Sequence, residues 1–447
     1  MTDEARLRRE RGPVLFDELT LPPMRRVQGA SRRFPVTHKH RVHLERSGFQ
    51  VAFDYHLSAT YRCSGALDED AFRRALIRVI SRHEALFSVY GHDGSSFFLE
   101  VPEHPPVSFS HVRVGASSES EAQLILDERH REQFDLRSGP FLRGTIVDLP
   151  TGEWYLQITV DHFVCDGASY AIVLDEFSRL YNALVQGDTD GLDPRPYQLS
   201  DYAVWQRSIL SGPILESMLE RWRRLLRRSG ADRAVGSAPL HAAAARSRFV
   251  ETVLPPDFGS RLDIAARRFR ATPFALAAGA FASALGEEKV GATPIFNSPM
   301  SGRPLADQHK VVGDLVNVLP IALPPDEVDG GTPRAVMRGL GEMMTLQATP
   351  FLVINEMISR EPGLYTSLQD RLFFAFSEEV ELSLTGVTSS VVPAAQGDAI
   401  TRGSFWIDAR RDGYRFQALH DQDRFSRDEV KLFMNRVEFR LLDLLSR

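Results

Sequence analysis

Seven consecutive residues, Asp161-His162-Phe163-Val164-Cys165-Asp166-Gly167, bring together the groups needed to move a proton and steady a developing negative charge. His162 is the one side chain among them whose ordinary titration lies near neutrality. It can therefore take a proton from an attacking amine or hydroxyl and still be unprotonated at rest. Gly167 offers a backbone N–H that no side chain obstructs, and at a helix start an oxyanion there would gain from the positive end of the dipole. Asp166 is suited to accept a bond from the local backbone or to pair with an arginine, fixing the loop rather than touching substrate. Cys165 reads as a small packing residue. The plain alternative for His162 is an imidazole satisfied inside a core, so the flanking segments must decide.

Those segments alternate strand and helix signals. In 154–160, Trp154, Leu156, Ile158 and Val160 alternate with Tyr155, Gln157 and Thr159, the period of a strand with one buried face. After Gly167 the apolar residues Val173, Leu174, Phe177, Leu180, Tyr181 and Leu184 recur at three- and four-residue spacing, the stripe of an amphipathic helix. Asp161 to Cys165 then form the bend where strand becomes helix, and free backbone N–H groups there can face a ligand.

Composition shifts divide the rest. Gly187 to Pro196 packs Gly, Pro and Asp together as a connector. A helical piece from about Asp201 to Arg228 follows, then a stretch of small residues from Gly230 to Ser247 without an apolar face. The expected organisation is an extension over 1–30, a first lobe over 31–190, a bridging helix and linker over 191–250, and a second lobe over 251–447. Residues 271–286 are too short and too rich in Ala, Gly and Ser to span a bilayer and read as a buried helix.

The chain has 447 residues with 53 basic and 59 acidic side chains, a formal net charge of −6. That balance argues against nucleic-acid binding through bulk positive charge. Two distant cysteines, Cys63 and Cys165, offer neither a disulfide framework nor a metal pattern, and the charged N-terminus lacks the apolar core of a secretion signal. A cytoplasmic protein with no membrane partner is expected. His38, His40 and His43 form HxHxxH, but in a strand His43 would point away from the other two, so no metal site is expected. Nucleophile-elbow, P-loop, dinucleotide and zincin patterns are missing, which removes support for hydrolase, nucleotide and redox readings. Arginines cluster at Arg25, Arg26, Arg32 and Arg33 and again at Arg221, Arg223, Arg224, Arg227 and Arg228. They read as solvated faces or as a surface for an acidic partner.

The bend at 161–167 resembles the HHxxxDG signature of condensation domains from nonribosomal peptide synthetases and related carrier-dependent acyltransferases, with Asp161 in place of the first His. Further matches follow in that family's order. Arg82-His83-Glu84-Ala85-Leu86 resembles RHExLR, with Phe87 where the arginine is expected; Phe134-Asp135-Leu136 and Ser138 to Arg143 resemble the segment leading into the strand; Leu199 to Gln206 resembles YxDYAxWQ. In the second half, Ser301-Gly302-Arg303, Val312 to Pro320 and Leu346 to Phe351 are similar to the GR, GxFxNTLP and HQDxPF segments, the last without its His. Pro35 to Arg41 matches the family's first segment only loosely.

The resemblance implies a layered α/β fold of two chloramphenicol-acetyltransferase-like lobes, forming a V-shaped pseudo-dimer with a central tunnel and His162 midway along it. It implies His162 and Gly167 as the catalytic groups, with Asp161, Asp166 and Arg303 supporting the site and Asp166 paired to Arg303 across the lobes. No bound cofactor is implied: the acyl donor would arrive in trans on the phosphopantetheine of a carrier protein. The acceptor would be a small-molecule amine or alcohol, giving an amide or an ester. A free-standing condensation enzyme is the expectation, with a coenzyme A-dependent acyltransferase or a catalytically silent docking module as alternatives.

Overall fold

A computed structural model describes residues 21–27, 32–49, 56–104, 111–228, 247–287, 294–322, 333–361, 371–392 and 403–446. The small-residue stretch expected from Gly230 to Ser247 lies outside the described residues except for Ser247, as do residues 1–20 of the expected extension.

Two large sheets organise the chain as a two-lobed, chloramphenicol-acetyltransferase-like α/β fold. The first is built from β2 (His56–Gly65), β5 (His111–Gly115), β6 (Leu142–Asp148), β7 (Trp154–Asp161) and β12 (Val387–Val392), in the order β12-β2-β7-β6-β5. The second is built from β8 (Ser247–Val253), β9 (Ile295–Met300), β10 (Asn317–Ala322), β11 (Phe373–Glu378), β13 (Gly403–Arg410) and β14 (Gly413–Asp421), in the order β10-β9-β11-β13-β14-β8. A small sheet of β1 (Arg33–Pro35), β4 (Phe97–Glu100) and β3 (Val89–His92) accompanies the first. β12 comes from the second half of the sequence yet pairs antiparallel with β2, Val387 opposite Gly65 and Val392 opposite Thr60. No composition shift signals that excursion.

β7 is expected to bury one face, but all eight of its residues are buried. It lies between β2 and β6, and both faces are covered. On one side Leu156, Ile158 and Val160 join a core with Phe72 and Phe177, whose rings meet edge to face 5.3 Å apart. Those rings come from the helices Glu69–Arg82 and Gly167–Gln186. On the other side Tyr155 packs with Ala122 and Leu126 of the helix Glu119–Arg131. Its polar residues are met within the sheet, Thr159 Oγ1 lying 2.8 Å from Ser58 Oγ. A strand buried on both faces loses the water that would otherwise reveal its alternation.

The bridging helix proves to be two, Leu199–Ile209 and Gly212–Arg228. The break falls at Leu210 and Ser211, and the second helix starts at Gly212, whose φ of +58° lies in the left-handed region. The helix expected over 271–286 is Pro273–Glu287, and its Ala and Phe281 face fills the second lobe's core.

Candidate active site

The bend forms because two elements must stop. β7 ends at Asp161, whose Oδ1 accepts the Phe163 N–H at 2.9 Å, and Val164 N–H returns to the Asp161 carbonyl at 3.1 Å. The helix Gly167–Gln186 begins because Asp166 caps it, its Oδ1 accepting the Ser169 N–H at 2.8 Å. The tight turn between them leaves the His162 side chain 23% exposed while Phe163, Val164 and Cys165 are buried. The imidazole is therefore reachable, and it is not the core histidine of the plain alternative. Gly167 is exposed at the first helical position.

A loop of the second lobe closes over this bend. Arg303 Nη1 lies 2.9 Å from Asp166 Oδ2 and Nη2 lies 3.1 Å from Oδ1, a two-pronged pair with both side chains almost fully buried. The same guanidinium donates to Ser169 Oγ at 2.7 Å, to the Val311 carbonyl at 2.9 Å and to the Ser301 carbonyl at 2.7 Å. Burial by itself would push the Asp166 carboxyl up, yet Arg303 and the Ser169 bonds hold it below the usual carboxylate range. Leu315 N–H adds a bond to Asp166 Oδ2 at 2.9 Å, and Asp166 N–H donates to the Gly313 carbonyl at 3.2 Å. Gly302 is obligatory in this closure, because its φ is +68° and a β-carbon there would sit 1.8 Å from the Leu315 carbonyl oxygen.

The other matched segments brace this frame. His83 and Arg82 both reach Glu176 on the helix after the bend, at 2.7 and 2.9 Å, and Glu84 accepts the Ser200 N–H at 2.6 Å. Asp201 accepts Val27 N–H at 2.6 Å, Tyr202 Oη donates across the lobes to the Gly302 carbonyl at 2.8 Å, and Gln206 accepts His38 N–H at 2.8 Å. Gln347 accepts the Gly302 N–H at 3.1 Å, and Asn317 Nδ2 donates to the Gln347 and Thr349 carbonyls.

Several residues near the bend carry no role in the sequence reading. HxHxxH lies on a helix, His38–Ser47, and not on the strand considered for it. His40 and His43, three apart, share a face against Phe163, with ring centroids 4.3 and 5.0 Å from it. His40 Nε2 donates to the Phe163 carbonyl at 2.7 Å, pinning the bend. From the same helix, Lys39 Nζ lies 2.6 Å from Asp314 Oδ1 and donates to the Val316 carbonyl at 3.3 Å. That Asp314 oxygen is 3.7 Å from His162 Nδ1. Lys39 and Asp314 fall inside quoted segments, but only the fold shows that they converge. Among the described residues no group of three or more His, Cys, Asp or Glu could hold a metal ion. No helix among them is long and apolar enough to cross a membrane. The arginine clusters are largely engaged inside the chain: Arg26 with the Pro196 carbonyl, Arg32 with Glu103, Arg33 with Glu100, and Arg223 and Arg227 with Glu361.

Burial drives the His40 imidazole down from an ordinary 6.5 to about 3, so the folded chain keeps it neutral. The unfolded chain binds a proton there below about 6.5, so stability from this site is whole above that pH and drains as pH falls toward 3. Asp161 works in the opposite sense. Burial pushes its carboxyl from 3.8 up to about 7, so its contribution is whole at low pH and is lost as pH rises through that window. Comparing His40→Gln with the parent isolates the histidine: at pH 5 the variant should have lost about 2 kcal/mol less than the parent, by urea denaturation. Parallel losses would refute the buried neutral imidazole.

Two further substitutions discriminate roles. A β-carbon at Gly167 would meet nothing within 4 Å beyond its own neighbours, so Gly167→Val should fold normally. If substrate passes there, turnover should still fall on the order of tenfold or more through misalignment. Equal turnover would take Gly167 out of the site. Cys165 is fully buried, and burial raises its thiol well above the ordinary range, so it is no nucleophile at neutral pH. Cys165→Ala should keep activity within about twofold, and its loss in a thioester assay would reopen a covalent thiol route.

The site thus joins a partly exposed imidazole at a strand-to-helix bend to an ion pair clamped across the two lobes, on a chloramphenicol-acetyltransferase-like fold. The model of the family described as Condensation domain matches residues 48–446, and the chain belongs to that family. It is 30% identical over 280 residues to a linear gramicidin synthase of Brevibacillus parabrevis, a match covering 60% of this chain and 4% of that protein. Among solved structures, the complex of the X-domain and OxyB from teicoplanin biosynthesis superposes with a TM-score of 0.73 at 22% identity, covering 96% of both chains. The first condensation domain of the calcium-dependent antibiotic synthetase, in complex with a substrate analogue, gives 0.71 at 16% identity, covering 94% of this chain and 98% of that one. The chain thus spans a small fraction of its long synthetase relatives.

Proposed function

We propose that this chain condenses an acyl or aminoacyl group, carried as a thioester on the phosphopantetheine of a carrier protein, with an amine or alcohol acceptor. A thioester needs no further activation, so the protein's task is alignment, removal of the acceptor's proton and stabilisation of the tetrahedral oxyanion. His162 takes that proton, the Gly167 N–H faces the developing charge, and Asp166 with Arg303 holds the bend in place. The observation that carries this reading is the partly exposed His162 at a bend whose neighbours are otherwise buried and locked. The carrier is supplied in trans if the chain acts free-standing, and no cofactor of its own is required.

The decisive experiment offers the purified protein acyl carrier thioesters together with amine and alcohol acceptors and identifies products by mass spectrometry. An acyl–acceptor product supports the reading, and its connectivity separates amide from ester. Transfer from coenzyme A thioesters but not from carrier thioesters would make it a coenzyme A-dependent enzyme. The second reading, a docking module without catalysis, draws on Asp161 in the signature and on likeness to an X-domain whose structure is a complex with OxyB. Partner binding with no transfer from any thioester would favour it.

A further inference from the structure

The imidazole of His162 presents two nitrogens, and a base at Nε2 needs the proton of the neutral ring on Nδ1. What faces Nδ1 is therefore part of the machinery. In this fold it is Asp314, on the loop between Arg303 and β10, with its carboxylate Oδ1 3.7 Å away and its side chain 2% exposed. Proximity of a buried carboxylate to a reactive imidazole has a cost that must be met, since an isolated buried charge is expensive. Lys39 meets it from the helix His38–Ser47, its Nζ 2.6 Å from the same oxygen and 3.3 Å from the Val316 carbonyl. The three groups come from the strand-to-helix bend, the helix ahead of it and the opposite lobe, so only the assembled molecule lines them up.

We propose that Asp314 is a positioning residue for His162: it orients the ring with the proton on Nδ1, leaves Nε2 to act as the base, and is itself fixed by Lys39. This rests on the base role given to His162 above and adds the groups acting through the ring's other side. As the acceptor nitrogen or oxygen bonds to the thioester carbonyl carbon, its proton passes to Nε2 and the imidazolium forms beside the Asp314 carboxylate. When the tetrahedral species collapses, the C–S bond breaks and the Nε2 proton goes to the departing thiolate sulfur, returning the ring to neutral. Asp314 takes no proton from the substrate in either step, and no further reactant is consumed. A gap of 3.7 Å needs to close by less than 1 Å to become a hydrogen bond, the tightening expected when a substrate fills the site.

An alternative use of the Lys39–Asp314 pair is a simple tie between lobes. It predicts lost stability on removal, with no bearing on the ring's proton. Nitrogen-15 labelling of the histidines, assigned with the His162→Ala variant, reads the protonation of each His162 nitrogen in the intact protein above neutral pH. The expected result is Nδ1–H with an unprotonated Nε2 in the parent and loss of that preference in Asp314→Asn. Nε2–H in the parent would overturn the proposal without needing any variant. In steady-state assays with an acyl carrier thioester, Asp314→Asn should lower kcat about 10- to 100-fold with KM near the parental value. Lys39→Met should lower kcat in the same sense and by less. Added to His162→Ala, Asp314→Asn should cause no further loss, because a residue acting through the ring has nothing left to act through. The same fractional loss in both backgrounds would refute the proposal. Full turnover of His162→Ala itself would instead sink the base role.

Discussion

His162→Ala is expected to lower acyl transfer by about 10²- to 10⁴-fold while the protein remains folded, the range that a positioned general base contributes. The fold should tolerate the change, since the ring is partly exposed and the bend is held by other groups: Asp161 to Phe163, His40 to the Phe163 carbonyl, and Asp166 to Ser169. The measurement is product formation from a carrier thioester at saturating acceptor, alongside a melting curve. Full turnover with the parental melting temperature would mean that the imidazole is incidental. A collapse of the melting temperature would mean that the ring packs more than its exposure indicates.

Arg303→Ala should be the most damaging of the substitutions to stability, at about 3–5 kcal/mol, because it strands a buried carboxylate. The loss should sit toward the lower end. Asp166 keeps the N–H groups of Ser169 and Leu315 at 2.8 and 2.9 Å, so part of its charge remains solvated by the chain. Arg303→Lys should recover little, since an ammonium cannot present two parallel donors to both carboxylate oxygens while also serving Ser169 and Val311. Because the Asp166 carboxyl is held below its ordinary 3.8, the pair's contribution is whole above that pH and is lost only as pH falls through the lowered value. Urea unfolding at pH 7 checks the magnitude. A change under 1 kcal/mol would show that the loop 301–317 is held mainly by other contacts.

Much of this was legible in the residues alone. The change of period at Gly167 marks the bend, and the ordered segments from Arg82 to Phe351 identify the family and its two lobes. The Asp166–Arg303 contact implied by that resemblance lies at hydrogen-bond distance. Three features stayed hidden for physical reasons. Burial of β7 on both faces depends on a helix packed on its polar side, and sequence alternation alone cannot report that cover. The segment holding HxHxxH, weighed as a strand, is a helix because Thr37 caps it, accepting the His40 N–H at 3.2 Å. Lys39 and Asp314 are 275 positions apart, and nothing local to either announces a partner across the lobes.

The exchange of β12 has a consequence for how the molecule can be handled. Without Val387–Val392, the backbone of β2 from Thr60 to Gly65 would be a bare edge with its donors and acceptors open to any passing strand. A fragment cut between the lobes should therefore be sticky and prone to clump, however sound its core. For the intact molecule the same six residues act as a tether. Any opening of one half from the other must hinge near this stitch, which limits how far apart the groups at the bend can be drawn.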